Sequence, residues 1–339
     1  GSVVGYGNGY APAQGAATAV TGAAVTGASP PTAGYGAGAT TLTLTGAALG
    51  SATGVTLGGV VCAFSVVDSE TITVTVPWSD QAAGAKDVVV TTPLAAVSVT
   101  YTPALWTPAE ITTALWLDAS DLSSITASCG RVSQLDDLSG NNRHATQSSA
   151  SLQPVTGTRT QGGRNALDFG NKAYRMDVPA SAGNPWSFAY VGYNDGSAGT
   201  GWWFYGNGSG GGNIWMVHND AGQSGKATVY AGNHVHSATT VASPAAIMVT
   251  GNTGTGTDGL VSLNGGTAGT GNTGTNTPNG SPDLGGSSSY GTNGLICEVV
   301  FADGVWSTAD RQMAEGYLAH KWNITLPGGH PYAAAAPTV

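Results

Sequence analysis

One local pattern recurs along the chain: short runs in which aliphatic residues alternate with Thr or Ser, each closed within a few residues by Gly, Pro or Asn. Leu42-Thr43-Leu44-Thr45, Ile72-Thr73-Val74-Thr75-Val76 and Val97-Ser98-Val99-Thr100-Tyr101 show it most plainly. A period of two puts the apolar side chains on one face and the hydroxyls on the other, as a half-buried antiparallel strand requires. Gly accounts for 53 of the 339 residues and only 9% of residues are charged. Such a composition fits frequent turns and argues against long amphipathic helices, so the expected fold class is all-β. Nine Trp and twelve Tyr supply core-forming rings, which speaks against wholesale disorder.

The formal net charge of -9 arises from few acids and fewer bases, without any run of Lys or Arg. Nucleic acid is therefore not an expected partner. No apolar stretch approaches bilayer-spanning length, so no membrane insertion is expected, and no three-part leader opens the chain. Residue 1 is Gly rather than Met, which leaves processing or an incomplete start open, so the missing leader says little about secretion. Cys62, Cys129 and Cys297 are odd in number and far apart, fitting neither a disulfide framework nor a zinc motif. They read as mostly buried thiols, with a Cys129–Cys297 pair as the alternative.

Four segments follow from the pattern. Residues 1–24, rich in Gly, Ala and Thr and almost uncharged, cannot bury a core and read as an N-terminal arm, either a flexible leader or an extension ordered against a neighbouring subunit. Residues 25–103 carry at least five alternating runs and read as a small sandwich. The segment Gly38-Ala39-Thr40-Thr41-Leu42-Thr43-Leu44-Thr45-Gly46, the Gly58-Gly59 pair and Pro77 after Val74-Thr75-Val76 are similar to the immunoglobulin-like IPT/TIG domain. Residues 104–109, with Leu105-Trp106-Thr107-Pro108, read as a stiff linker. Residues 110–339 form the larger domain.

Ala114 to Gln147 organises that larger domain: the apolar run Leu115-Trp116-Leu117 ends in Asp118-Ala119-Ser120-Asp121, and Arg131 to Leu135 leads into Asp136-Asp137-Leu138-Ser139-Gly140-Asn141-Asn142. Near the end, Leu295 to Phe301 reads as a last strand and Ser307 to Trp322 as a helix, with Ser307 as N-cap, Asp310 at its third position, and Met313 and Tyr317 on one face. Leu326-Pro327-Gly328-Gly329-His330-Pro331-Tyr332 follows. Together these segments resemble the concanavalin A-like lectin/glucanase jelly roll, in the laminin-G-like branch found in bacteriophage virion proteins and bacterial surface proteins. The resemblance implies an Ig-like sandwich followed by a larger jelly-roll sandwich closed by one late helix. Where that family often carries Trp before the paired Asp, this chain has Leu135, so a stacking role there is lost.

A glucanase needs two carboxylates a few ångströms apart. Glu70, Glu110, Glu298 and Glu315 are the only Glu, and none lies in a strand with a second acid at alternating spacing. The expectation is a chain that is not an enzyme. Asp136, Asp137 and Asn141 can either cap a turn or supply oxygens to Ca²⁺, the one cofactor considered. His234-Val235-His236 has strand spacing for one metal but only two ligands. No nucleophile elbow, phosphate loop or HExxH occurs. Trp202, Trp203, Tyr205 and Trp215 are candidates for stacking on sugar rings, or else core residues of strand-like runs. Leu260 to Gly266 reads as a strand and an Asn-Gly turn, and Thr267 to Ser289 as an exposed low-complexity rim. The functional expectation is a virion structural protein, a decoration, fibre or tail component that contacts other virion proteins, copies of itself and host-surface glycans. A secreted bacterial adhesin and a glycan hydrolase are the alternatives.

Overall fold

The computed structural model describes residues 24–29, 40–76, 86–93, 95–101, 105–170, 174–179, 185–195, 201–207, 213–220, 225–242, 244–277, 282–286 and 291–338. Side chains at 26–29, 40, 76, 86, 99–101, 202, 207, 213–215 and 217–220 lie outside that description, as do residues 1–23 of the expected arm. Among the described residues the fold is all-β with one α-helix, and it divides into two units, the described residues up to 101 and those from 105 onward.

The first unit has strands β1 (Ala24–Ser29), β2 (Thr40–Ala47), β3 (Gly54–Leu57), β4 (Val60–Val66), β5 (Thr71–Val76), β6 (Lys86–Thr91) and β7 (Ala96–Tyr101). They are antiparallel in the order β1-β2-β5-β4-β3-β6-β7. Leu42 and Leu44 stand opposite Val74 and Ile72, while Val55 and Leu57 stand opposite Val90 and Val88. All eight are buried, as the period of two demands. Strand β4 pairs with β5 on one side and β3 on the other, joining the halves of an Ig-like sandwich.

The second unit contains β8 (Leu115–Asp118), β9 (Ile125–Ser128), β10 (Arg131–Leu135), β11 (Ala145–Thr146), β12 (Thr160–Gln161), β13 (Arg164–Asn165), β14 (Leu167–Asp168), β15 (Met176–Asp177) and β16 (Trp186–Asn194). It continues with β17 (Trp202–Asn207), β18 (Asn213–Asp220), β19 (Lys226–Tyr230), β20 (His234–Thr240), β21 (Ala245–Asn252), β22 (Gly259–Leu263), β23 (Gly269–Gly271), β24 (Asp283–Leu284), β25 (Gly294–Asp303) and α1 (Thr308–Trp322). A nine-stranded sheet runs β20-β19-β18-β17-β24-β15-β11-β10-β9, and a second sheet runs β14-β25-β16-β21-β22-β23 with β8 also on β25. The main core, with Trp186, Phe188, Tyr190, Trp203, Phe204 and Phe301, gathers side chains of both sheets.

Strands β16 and β25 are buried along nearly their whole length because the second sheet is covered twice. One face packs in the main core, and Ala189, Val191, Met248 and Val300 on the other pack against Leu318, Ala319 and Trp322 of α1. That is why their sequences lose the clean alternation seen in the first unit. The helix begins as expected, with Ser307 Oγ accepting from the Asp310 backbone N–H at 3.1 Å. It ends on Asn323 in the left-handed region, φ 56°.

Two buried carboxylates pin the helix to the sheet. Glu298 accepts from Trp116 Nε1 (2.8 Å), Tyr317 OH (3.0 Å) and Trp322 Nε1 (2.7 Å), and pairs with Lys321 at 2.7 Å. Burial pushes its carboxyl up and Lys321 partly offsets this. Burial also raises Tyr317, and the neighbouring Glu298 and Asp118 push it further, so its hydroxyl stays protonated. Glu315 accepts from Arg311 at 2.6 Å and from Thr250, and lies 3.0 Å from His330 Nε2. Burial pushes it up, but the hydrogen bonds from His330 and Thr250 and the charge of Arg311 hold it below the usual carboxylate range. The Tyr332 N–H donates to His330 Nδ1 at 3.2 Å, so the neutral ring carries its proton on Nε2, towards Glu315. The Gly-Gly-His-Pro-Tyr ending is thus a clamp on the helix.

Several expectations need correction. Trp106, assigned to a linker, is 1% exposed and its N–H donates to Pro337 O, within the second unit. The segment expected to be a rim contributes β23 and β24, and β24 lies in the middle of the nine-stranded sheet. Asn264 takes a positive φ of 51° in its turn and its Oδ1 accepts from Met248 N–H, so it holds the turn. The cysteines are free; Cys62 and Cys297 are buried and Cys129 is exposed, which removes the Cys129–Cys297 alternative. Leu135 is buried in the main core, where an apolar side chain suffices.

Candidate functional site

Register sorts the nine-stranded sheet into two rows. On one face Phe204 stands beside Met216, Met216 beside Val229 and Val229 beside Val235; in the other direction Phe204 adjoins Leu284 and Leu284 adjoins Met176. None of the six is more than 3% exposed. The residues one step along each strand face the opposite way. There His234, Tyr230, Trp215, Tyr205, Asp283, Asp177, Thr146, Gln134 and Thr126 are successive register partners across all nine strands. At the usual strand spacing this row is roughly 38 Å long. His234, Asp177, Thr146 and Thr126 are exposed; Tyr230, Tyr205, Asp283 and Gln134 are half-buried. The side chain of Trp215 lies outside the described residues.

The row divides chemically. At one end the Tyr230 and His234 rings are 4.8 Å apart, and His236 continues the group 5.8 Å from His234. In the centre Asp283 and Asp177 are register partners on adjacent strands, and Arg175 approaches Asp283 at 3.9 Å. Burial raises the Asp283 carboxyl to about 6; Asp177 adds to the shift and Arg175 opposes it. One part of the face therefore offers ring surfaces with polar edges, and the adjoining part offers carboxyl acceptors and a guanidinium donor.

The expected stacking residues meet different fates. Tyr205 belongs to the open row. Trp203 is fully buried, stacked on Tyr190 at 4.2 Å between centroids and 13° between planes, so it has no free face for a ligand. The cause is a register shift of β17 against β18 between Trp202 and Phe204. This bulge sends Trp203 inward beside Phe204 instead of letting it alternate. The side chain of Trp202, like that of Trp215, lies outside the described residues.

The calcium reading of Asp136, Asp137 and Asn141 does not fit the geometry. Asp137 is 7% exposed and its carboxylate accepts from the backbone N–H groups of Trp116, Ser139 and Arg143 and from Ser139 Oγ. Asn141 turns its amide nitrogen, not its oxygen, inward to Thr113 O and Ala114 O. Asp136 accepts from Gln134 Nε2 at 2.7 Å. These residues fasten a turn, and among the described residues no group of three or more His, Cys, Asp or Glu could hold a metal ion. Nor do they meet Tyr205 at one rim, since three strands separate β10 from β17.

Residues 23–104 match the IPT/TIG domain, so an Ig-like domain of this kind is present; the match covers the first unit alone. No curated protein matches the chain. Among solved structures it is similar, at 12% identity and a TM-score of 0.44, to domain 4 of a GH43 extracellular arabinanase from Geobacillus stearothermophilus in complex with arabinotriose, covering 59% of this chain and 96% of that one. It is similar at 10% identity and a TM-score of 0.43 to the Trypanosoma rangeli sialidase in complex with the inhibitor DANA, over 83% of this chain and 51% of that chain. A surface glycan-binding protein from Prevotella bryantii aligns at 11% identity with a TM-score of 0.20, over 78% and 92%.

Likeness at this level transfers no substrate or chemistry. It does correct one expectation: with an arabinanase domain and a sialidase among the similar structures, the reading of the chain as not an enzyme does not stand. Two acids at alternating spacing within one strand are absent among the described strands, but Asp177 and Asp283 come from different strands and become neighbours through sheet register. Tyr230 gains its place in the row through register in the same way, and His234, read from the sequence with His236 as a two-ligand metal spacing, stands beside it there.

Proposed function

We propose that the chain binds glycans along the open face of the nine-stranded sheet, with Tyr205, Tyr230 and His234 as ring surfaces and Asp177, Asp283 and Arg175 as hydrogen-bonding groups. The observation that carries the reading is the in-register row itself, in which aromatic and carboxyl side chains adjoin on a half-exposed surface. Sugar rings have apolar C–H faces and hydroxyl edges, so recognition takes a ring to stack on and acceptors beside it. Each stacking contact is worth about 0.5 to 1.5 kcal/mol beyond its buried area, so single sites are weak and useful avidity comes from many copies.

Display at a surface suits such a site. The sequence resemblance carried by the YLAHKWNITLPGGHPY segment favours a bacteriophage virion, where other virion proteins and copies of this chain would supply the multivalency. A bacterial surface protein is the alternative setting. Particles adsorbing to host cells, with adsorption lost when soluble host polysaccharide competes, would support the virion setting; finding the chain absent from purified particles would end it.

A second reading, that the face also cleaves what it binds, is favoured by Asp283, raised to about 6 beside Asp177. Glycoside hydrolysis uses one protonated and one ionised carboxyl. New reducing ends released by the wild type and absent with Asp283→Asn would establish this; none from any bound polysaccharide would reject it.

A further inference from the structure

A recess lies beside α1, built by Leu105, Trp106, Arg164, Tyr317, Lys321 and Ala336 with a volume of about 240 Å³. Its apolar wall is Leu105 and Tyr317, the latter held from behind by the buried Trp106 ring, which it meets edge to face at 5.8 Å and 68°. His320 also borders it, with Nε2 2.8 Å from Tyr332 O.

The cations of this recess are not equivalent. Lys321 Nζ contacts Asp118, Glu298 and Tyr317 OH, so its three hydrogens are occupied. Arg164 donates from Nε to Lys321 O at 2.9 Å, next to Gln161 Nε2 donating to Trp322 O, and the hairpin of β12 and β13 thereby caps the end of the helix. That single bond holds the guanidinium in place and leaves Nη1 and Nη2 without a partner among the described residues. A planar fork with free hydrogens beside an apolar wall matches a carboxylate joined to a ring. The acids Asp118 and Glu298 both pair with Lys321, which reduces their repulsion of an anion.

We propose that this recess binds a single-ring carboxylate, with the carboxylate on the Arg164 fork and the ring against Leu105 and the half-buried Tyr317. The volume, below that of pockets for drug-sized ligands, limits the occupant to about one ring. An acidic sugar residue and a simple aromatic acid share this chemistry. Glucuronate and benzoate separate the two sources, with glucose and benzyl alcohol as their uncharged counterparts.

Saturation-transfer NMR and calorimetry on the full chain supply the test. At least one acid should bind at least about tenfold more tightly than its uncharged counterpart, and Arg164→Gln should remove that preference. Because Arg164 also caps the helix, Leu105→Asp provides the independent variant. Leu105 is 64% exposed, so the substitution leaves folding intact while placing a negative charge at the mouth, and it should weaken the acid alone. Tyr205→Ala should leave this binding unchanged. The proposal is overturned if neither acid binds, if acids and uncharged counterparts bind equally, or if the preference survives both substitutions.

Discussion

Trp203 and Tyr205 are two residues apart on one strand, and a strict period of two would give them the same face. The bulge between Trp202 and Phe204 separates them: Trp203 stacks on Tyr190 within the core, while Tyr205 stands in the open row between Trp215 and Asp283. The larger aromatic holds the two sheets together and the smaller one faces outward. Aromatic residue type therefore does not locate a binding face. Register does, because it carries one residue's orientation across nine strands.

Trp203→Ala should destabilise the second unit by about 3 to 5 kcal/mol, through lost burial and the cavity left behind; chemical denaturation would read it, and a loss near zero would put Trp203 outside the core. Glu298→Ala asks whether buried polarity behaves like polarity on the open face. Removing this partner leaves two indole N–H groups and the Tyr317 hydroxyl without their acceptor and Lys321 with Asp118 as its one carboxylate, and should cost about 3 kcal/mol, with binding on the open face unaffected in the folded fraction.

Asp283 gives a smaller effect with a definite sign. Its pKa is raised to about 6 in the folded chain, so its favourable contribution is complete below the unfolded value of about 4 and is lost as pH rises through about 6. Asp283→Asn should stabilise the chain by about 1 to 2 kcal/mol at pH 8, allowing for screening, and by little at pH 4. Melting temperatures at the two pH values check this; an equal shift at both would remove the raised pKa from the account. The smallest effect on folding belongs to Tyr205→Ala, within about 0.5 kcal/mol, and the same substitution should weaken glycan binding by about 0.5 to 1.5 kcal/mol.

How far the fold could be read in the sequence depended on whether the governing interaction was local. Alternation exposed the sandwich strands of the first unit, and Ser307 with Asp310 marked the start of α1, because strand faces and helix caps are set within a few residues. The roles of Asp137 and His330 depend on partners brought close by folding: Trp116 N–H lies 21 positions from Asp137, and Glu315 lies 15 from His330. For the candidate site the position is harder still. Asp177 and Asp283 sit on two-residue strands with no periodicity of their own, and one bulge reverses the face of Trp203. Tyr205 alone, among the described side chains of the expected stacking set, lies where it can act.

Recognition of glycans by the in-register row is read by affinity electrophoresis through gels containing individual neutral polysaccharides. The wild-type chain should be retarded by at least one polysaccharide, and the Tyr205→Ala/Tyr230→Ala double variant should run free in the same gel with an unchanged melting temperature. Equal retardation of the two proteins, or free migration of the wild type through every polysaccharide, would contradict recognition by this row.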